Sequence, residues 1–174
     1  MSGHAGARTS VRGVTDPAHE HASRGTAPPP VRHATVPSSA AVSARMARQP
    51  RRDTSPELLL RRGLHRRGLR YRVDAALPGL PRRRADVLFT RARLAVFVDG
   101  CFWHACPEHT TIPASNRQWW RAKLDANVAR DRDTDARLEA AGWTVLRFWE
   151  HADMDAAAAV VHETWTRCLT RSEG

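Results

Sequence analysis

The densest chemistry in this sequence of 174 residues lies in residues 99–109, which contain two cysteines and two histidines. Thiolate and imidazole groups are the ligands that zinc prefers, and a structural zinc site takes four of them. His151, far along the chain, is the candidate for the ligand that this loop lacks. We therefore predict a structural zinc ion on Cys101, Cys106, His109 and His151, with ordinary buried thiols as the alternative for the two cysteines.

The other histidine of this loop, His104, is a candidate proton carrier. Because tetrahedral zinc has four places, the ligand set above leaves the imidazole of His104 outside the metal site. The ordinary pKa of histidine suits it to move a proton near neutral pH. The alternative, in which His104 binds zinc and His109 is exposed, stays open at this point.

Two carboxylates are candidates for holding a second metal. Asp86 interrupts an apolar run, and Asp99 stands where the next apolar run ends. A buried carboxylate needs a partner, and a divalent cation between the two would satisfy both. Magnesium binds such carboxylates together with waters and phosphate oxygens, and it activates water for phosphodiester hydrolysis. We predict Mg²⁺ on Asp86 and Asp99, with two solvated carboxylates as the alternative.

Large apolar side chains accompany these polar groups. Phe102 and Trp103 lie inside the metal-rich loop, and Met46 lies among arginines. Such side chains can act as wedges that enter a base-pair step, unstack it and bend the duplex, whereas core packing is the alternative role. The remaining tryptophans fall on helix or strand periodicity and are predicted to lie in the core: Trp119, Trp120, Trp143, Trp149 and Trp165.

The elements that must position these residues predict a small α/β domain. Thr54 to Glu57 match a capping box, so a helix should begin there and run to about Gly68. Apolar runs predict an antiparallel strand pair, and a loop with an arginine run precedes it over 78–84. The other predicted elements are the strand pair 85–89 and 94–98, a helix over 116–141, a strand over 143–149 and a helix over 154–168. The order α, β, β, α, β, α predicts a mixed sheet flanked by helices.

The charge of the chain points to a polyanion. Its 28 Lys and Arg residues outnumber 18 Asp and Glu, which gives a net charge of +10. Residues 45–84, which include Arg51 and Arg52, hold thirteen arginines against three acids and carry the whole excess. Arginine forks suit phosphate oxygens, so we predict that this arginine block neutralises nucleic-acid phosphates and that binding weakens steeply with salt. An anionic membrane surface would attract the same charge but has no use for the metal ligands.

Residues 1–44 show no hydrophobic periodicity and contain five prolines, so they can bury little apolar surface. We predict a disordered extension over 1–44, followed by one domain over 45–174. No apolar run approaches the roughly 20 residues that a membrane span needs, and the first residues lack the apolar core of a signal peptide. We therefore expect a cytoplasmic protein whose three cysteines are reduced.

With these residues in view, the sequence resembles the very short patch repair (Vsr) endonuclease family. The most specific motif is the run Gly100-Cys101-Phe102-Trp103-His104. The other matching positions occur in order between about residues 45 and 151: Met46, Arg52-Asp53-Thr54 with Pro56-Glu57, Leu77-Pro78-Gly79, Arg84-Ala85-Asp86, Val96-Phe97-Val98-Asp99, Cys106-Pro107, Pro113, Trp120 with Lys123, Asn127, Arg130-Asp131, and Gly142-Trp143 through Trp149-Glu150.

The resemblance implies a restriction-endonuclease-like fold of the PD-(D/E)XK type and a metal-dependent nick in DNA beside T·G mismatches left by deamination of 5-methylcytosine. It places the metal-binding Asp of the family at Asp86, the catalytic His at His104 and a helix-borne Glu at Glu57, which the capping box explains equally well without catalysis. It also implies the wedge role for Phe102, Trp103 and Met46. Double-stranded DNA is the implied partner, repair proteins and a cytosine methyltransferase are further candidates, and we expect a monomer.

The sequence departs from the family pattern at the metal sites. Asp99 stands where the best-known members have His, and Cys101 takes the place of the lysine found in restriction-type nucleases. His151 stands where the family often has Cys, and His for Cys keeps a zinc site chemically sound. Two alternatives therefore remain open: a restriction or anti-phage nuclease of the same fold without mismatch preference, and a zinc-stabilised DNA-binding module without catalysis.

Overall fold

The structure, a computed structural model, describes residues 7–9, 52–113 and 116–172. The described residues form a mixed five-stranded sheet of order β1-β5-β4-β3-β2, with helices on both faces. The elements in chain order are β1 (Ala7–Thr9), α1 (Ser55–Arg66), β2 (Arg72–Leu77), β3 (Leu80–Phe89), β4 (Leu94–Asp99), α2 (Arg117–Ala140), β5 (Thr144–Trp149) and α3 (Met154–Ser172). β4 and β5 are parallel, and the other neighbouring strands are antiparallel. The predicted mixed α/β class is confirmed.

The hairpin of β2 and β3 corrects one prediction. The loop predicted over 78–84 is a turn at Pro78 and Gly79, and the arginine run lies inside β3. Gly79 has a φ of +72°, a left-handed conformation that favours glycine in a tight turn. The first half of β3 pairs with β2 at the edge of the sheet, where most side chains are exposed or partly exposed. Long arginines are tolerated there, so β2 and the first half of β3 show no apolar run.

The N-terminal segment contributes one short strand, and the extension predicted over 1–44 otherwise stays a prediction. β1 lies within the predicted disordered extension, yet it pairs antiparallel with β5, with Ala7 opposite Phe148. Backbone pairing at a sheet edge needs no hydrophobic periodicity, which is why the composition did not indicate it. The rest of the predicted extension lies outside the described residues, as do Met46 and Arg51. No helix in the described ranges is long and apolar enough to cross a lipid bilayer.

The larger core fills the space between the sheet, α1 and α3. Leu60 and Leu64 of α1 are fully buried against Val161 of α3 and the apolar face of the central strands. The two helices approach closely at Gly63, where a Cβ added to the glycine would lie 2.8 Å from Cβ of Ala158. A smaller core on the other face packs Leu138 of α2 against β3, β4 and β5. The sheet is therefore held from both sides, which fixes the strand ends that carry the candidate site.

Replacing Gly63 by Ala is expected to destabilise the protein by about 1–3 kcal/mol, because the new methyl group overpacks the contact between α1 and α3. The clash outweighs the gain in helix propensity, which is at most about 1 kcal/mol. Urea unfolding measures the effect, and the double variant Gly63→Ala with Ala158→Gly should recover part of the loss. A single variant more stable than the wild type would show that this contact does not limit packing.

Candidate active site

The candidate catalytic carboxylates lie where β3 and β4 separate. The antiparallel ladder between these strands ends at the pair Val87 and Val96; from there β3 pairs only with β2 and β4 only with β5 among the described strands. The backbone N–H of Val98, just past the ladder, donates to Oδ2 of Asp86 at 2.7 Å. The Asp86 side chain thus takes the place of a backbone partner and is fixed in the opening between the strands.

The carboxyl group of Asp86 lies among other acids. Burial raises its pKa to about 6, and the negative charges of Glu57 and Asp99 act in the same direction. The hydrogen bond from Val98 and the charge of Arg61 act in the opposite direction and are outweighed. Three acidic groups that repel one another are the arrangement that a bound divalent cation relieves. The donor set at this opening therefore fits a metal such as magnesium.

Glu57 is buried at the start of α1. The helix begins after Thr54 as predicted, but the reciprocal bonds of a capping box are not formed. Instead the hydroxyl of Thr54 donates to Oε1 of Glu57 at 2.9 Å, and the N–H of Asp53 donates to Oε2 at 3.0 Å. Arg61 also donates to Oε2, at 2.9 Å. Glu57 is thus held from three sides while its charge acts on Asp86.

Asp99 ends β4 and is buried, with 2% of its surface exposed. Arg147 of β5 donates from Nη1 to Oδ1 of Asp99 at 2.8 Å, and Nδ1 of His104 lies 3.7 Å from the same oxygen. The prediction of Asp86 and Asp99 as a pair of metal ligands did not include this guanidinium. The signal for it was a charged residue inside an apolar strand, since a buried charge requires a partner.

His104 is hydrogen-bonded to an acid that was not among the predicted site residues. Its Nδ1 lies 2.6 Å from Oδ2 of Asp131 in α2. Burial lowers the pKa of His104, but the hydrogen bond to Asp131 and the charge of Asp99 outweigh it, so the pKa is raised. Burial raises the pKa of Asp131, but His104 and Arg147 outweigh it, so that pKa is lowered. With Nδ1–H directed at Asp131, Nε2 is the atom that can exchange a proton.

The four predicted zinc ligands come together at the end of β5. One ligand atom from each of Cys101, Cys106, His109 and His151 lies within 4.8 Å of all the others. Nδ1 of His109 lies 3.9 Å and 3.7 Å from the sulfur atoms of Cys101 and Cys106. Nδ1 of His151 lies 3.0 Å and 3.9 Å from the same atoms. Tetrahedral zinc separates bound sulfur and nitrogen by about 3.6 Å, so this cluster fits a zinc ion.

The Cys101 thiol of this cluster would need a cation to ionise near neutral pH. Burial, together with the neighbouring Cys106, raises the pKa of the Cys101 thiol to about 12. A thiol of that pKa becomes a thiolate near neutral pH only when a cation stabilises it. His109 is exposed overall, yet its Nδ1 faces both sulfur atoms, whereas His104 is directed toward Asp131.

The aromatic residues of the loop form a cluster with α2. The ring of Phe102 lies 5.1 Å from that of Trp103 and 5.4 Å from that of Trp120. Trp120 is buried as predicted, whereas Trp119 is 39% exposed and has Nζ of Lys123 5.3 Å above its ring. The core prediction for Trp119 is wrong because adjacent helix residues point in directions about 100° apart. Phe102 and Trp103 are half-buried, so Trp120 supports a partly open aromatic surface.

The arginine block is partly neutralised within the molecule. Arg52, predicted to contact DNA, donates to Asp74 at 3.0 Å. Arginines of this block that form ion pairs are Arg52, Arg61, Arg66, Arg67, Arg83 and Arg84. Those that form no ion pair with any described residue are Arg62, Arg70, Arg72 and Arg82. The free positive charge of the described block is therefore smaller than the composition suggests.

Comparison with known proteins agrees with the motifs. The family described as DNA mismatch endonuclease Vsr matches residues 36–109. The type II nicking enzyme V.NaeI of Lentzea aerocolonigenes is 45% identical over 148 residues, which are 83% of this chain and 84% of that enzyme. The DNA mismatch endonuclease Vsr of Escherichia coli (strain K12) is 41% identical over 103 residues, which are 58% of this chain and 64% of that protein. The chain therefore belongs to the Vsr family and is a DNA endonuclease.

Proposed function

We propose that this endonuclease, on a restriction-endonuclease-like scaffold, nicks one strand of duplex DNA beside a T·G mismatch and so starts very short patch repair. The observation that carries the proposal is the group of Asp86, Asp99 and His104 at the opening between β3 and β4. Relatives named nicking enzymes support the cutting of one strand, and the relative named mismatch endonuclease supports the mismatch.

Asp86 and Asp99 are the residues that would hold a magnesium ion, with Glu57 adding negative charge nearby. When bound, such an ion polarises the scissile phosphoryl group and lowers the pKa of a bound water. The chain keeps Asp86 in place through the N–H of Val98. It keeps Asp99 in place through Arg147, whose donor reaches Oδ1.

His104 is the proposed general base. Asp131 accepts its Nδ1–H, which fixes the ring and leaves Nε2 to accept the proton of the attacking water. The raised pKa of His104 strengthens Nε2 as a base, and Asp131 stabilises the imidazolium that forms. Both groups act from fixed positions, since Asp131 lies on α2 and the N–H of His104 donates to the carbonyl of Gly100 at 3.1 Å.

A zinc ion on Cys101, Cys106, His109 and His151 is the proposed structural support of this loop. The loop carries His104 and the proposed wedge, Phe102 and Trp103, so one metal would fix both the base and the aromatic surface. Trp120 packs against both rings of the proposed wedge, with centroids 5.4 Å from Phe102 and 6.2 Å from Trp103. The DNA contacts of Met46 and Arg51, and the candidate repair proteins and methyltransferase, remain predictions.

A nuclease of the same fold without mismatch preference is the second candidate, because the family relatives include several named type II nicking enzymes and Asp99 departs from the family pattern. Nicking of matched, T·G and methylated T·G duplexes with Mg²⁺ separates the two. We expect nicks in one strand, at least about tenfold faster on a T·G duplex, since an already unpaired base lowers the cost of opening the stack. Equal rates on matched DNA would favour the second candidate, and no nicking of any duplex would contradict both.

A further inference from the structure

Arg147 occupies the middle of β5 and is buried, with 8% of its side chain exposed. Its Nη1 donates to Asp99 at 2.8 Å, and its Nε donates to both carboxylate oxygens of Asp135 at 3.0 Å. Its Nη2 lies 2.9 Å from Oδ1 of Asp135 and 3.7 Å from Oδ1 of Asp131. The guanidinium also lies 4.2 Å above the ring of Phe97. One arginine thus joins β5 to acids of β4 and α2.

The partners of Arg147 fall into two groups. Asp135 belongs to no part of the candidate site and binds the guanidinium through both oxygens, so it acts as the anchor. Asp99 and Asp131 each contact His104, at 3.7 Å and 2.6 Å. The guanidinium, anchored by Asp135, therefore contacts both of the carboxylates that flank the imidazole of His104.

Stability alone does not account for this arrangement. A buried ion pair costs desolvation, and well-packed apolar residues in its place are often as stable or more stable. What apolar residues cannot do is fix the direction of a carboxylate. A planar arginine fork holds several oxygens at once in defined positions, which is the property that an ordered site requires.

We propose that Arg147, anchored by Asp135, is a positioning residue of the nuclease site: it fixes the carboxylates of Asp99 and Asp131 and through them orients His104. This inference rests on the proposed function. Because Arg147 is buried beneath these acids, it acts on the reaction through them and not by contact with the phosphate. Loss of such an orienting partner typically costs 10–100-fold in metal affinity or activity, so we expect effects of about that size.

Two variants of the full-length protein separate positioning from stability. Arg147→Met leaves Asp135 without its partner, whereas Arg147→Met with Asp135→Leu removes the anchor pair together and restores apolar packing. Arg137→Met is the matched control, since Arg137 pairs with Asp133 on the exposed side of α2. Each protein is measured for urea unfolding, for the nicking rate at saturating Mg²⁺ on a T·G duplex, and for the Mg²⁺ concentration that gives half the maximal rate.

We expect the single variant to be less stable and to nick about 10–100-fold more slowly or to need about that much more Mg²⁺. The double variant should regain stability without regaining the nicking rate or the Mg²⁺ response. The Arg137 control should stay within twofold of the wild type in both kinetic quantities. A double variant that regains both stability and nicking would overturn the proposal, as would a single variant with unchanged nicking and Mg²⁺ response.

A readout without DNA or Mg²⁺ keeps the inference testable if the wild type cuts no duplex. The short hydrogen bond between His104 and Asp131 should give a downfield Nδ1–H proton resonance in the wild type and in the Arg137 control. We expect this resonance to be lost or shifted upfield in the double variant. Its persistence unchanged there would refute the positioning role, while failure of wild-type nicking would refute only the proposed function.

Discussion

Asp86→Asn should abolish nicking while making the protein more stable. Asparagine keeps an oxygen that can accept the N–H of Val98, so the opening between β3 and β4 should retain its shape. It removes the negative charge that the proposed magnesium site requires. A metal that stabilises charge in the transition state contributes several kcal/mol, which corresponds to a rate loss of about 10³-fold or more. Single-turnover nicking of a T·G duplex measures this loss.

The gain in stability follows from the pKa of Asp86. Its folded-state pKa is raised to about 6 from the ordinary value of 3.8, so the fold favours the protonated carboxyl. The stabilising contribution of that protonated form is complete below pH 3.8 and is lost as the pH rises through about 6. Asparagine carries no charge at any pH. Without Mg²⁺ at pH 7, the variant should therefore gain about 1–3 kcal/mol in unfolding free energy, and the gain should shrink as the pH falls.

Magnesium supplies the decisive comparison. A ligand that binds the folded state stabilises it, so added Mg²⁺ should raise the unfolding midpoint of the wild type and leave Asp86→Asn unchanged. Asp133→Asn is the matched control, because Asp133 lies on α2 and pairs with Arg83 and Arg137 away from the opening. That control should nick normally and respond to Mg²⁺ as the wild type does. Nicking by Asp86→Asn within tenfold of the wild type would disprove the assignment of the metal-binding acid.

The strands were predictable to the extent that they are buried. β4 reads as an apolar run because almost every residue of it is covered, by helices on both faces of the sheet. β2 and the first half of β3 give no such run, since they lie at the edge of the sheet and most of their side chains, three consecutive arginines among them, are exposed or partly exposed. Hydrophobic patterning records burial, so an exposed edge hairpin escapes it.

The candidate metal ligands and the charge network differ in the same way. Cysteine and histidine were identified by ligand chemistry alone, because few other roles explain two of each within eleven residues. Asp131 and Asp135 resemble a solvated charged face, yet they lie four residues apart on the stripe of α2 that includes buried Leu124, Thr134 and Leu138. Acids on a buried helix stripe are a signal of an inward-facing cation. That the cation is Arg147 depends on how α2 crosses β5, which no local pattern specifies.

Loss of the proposed zinc ion should stop nicking and loosen the loop from Gly100 to Thr110 while the core under α1 and α3 stays folded. The cluster of Cys101, Cys106 and Trp149 is separate from the larger core, so its metal is expected to hold the loop and not the whole domain. Cys106→Ala removes one proposed ligand, which is buried with 1% of its surface exposed. We expect loss of one zinc per chain, and nicking reduced by at least about 10²-fold, since loss of a residue that merely orients a metal ligand already reaches that size.

Elemental analysis, hydrogen exchange and nicking together decide this prediction. Cys168→Ala is the matched control. Cys168 lies on α3 and is also buried, but its sulfur contacts the hydroxyl of Thr144 at 3.4 Å and is far in sequence from the ligand cluster. It should keep its zinc and its activity. His151→Ala should lose zinc, whereas His104→Ala should keep zinc and lose nicking, because Nδ1 of His151 faces the sulfur of Cys101 and Nδ1 of His104 faces Asp131. The reverse outcome would show that His104 is the zinc ligand and His151 is required for catalysis. Purified wild-type protein without zinc would show that the loop has no structural zinc ion.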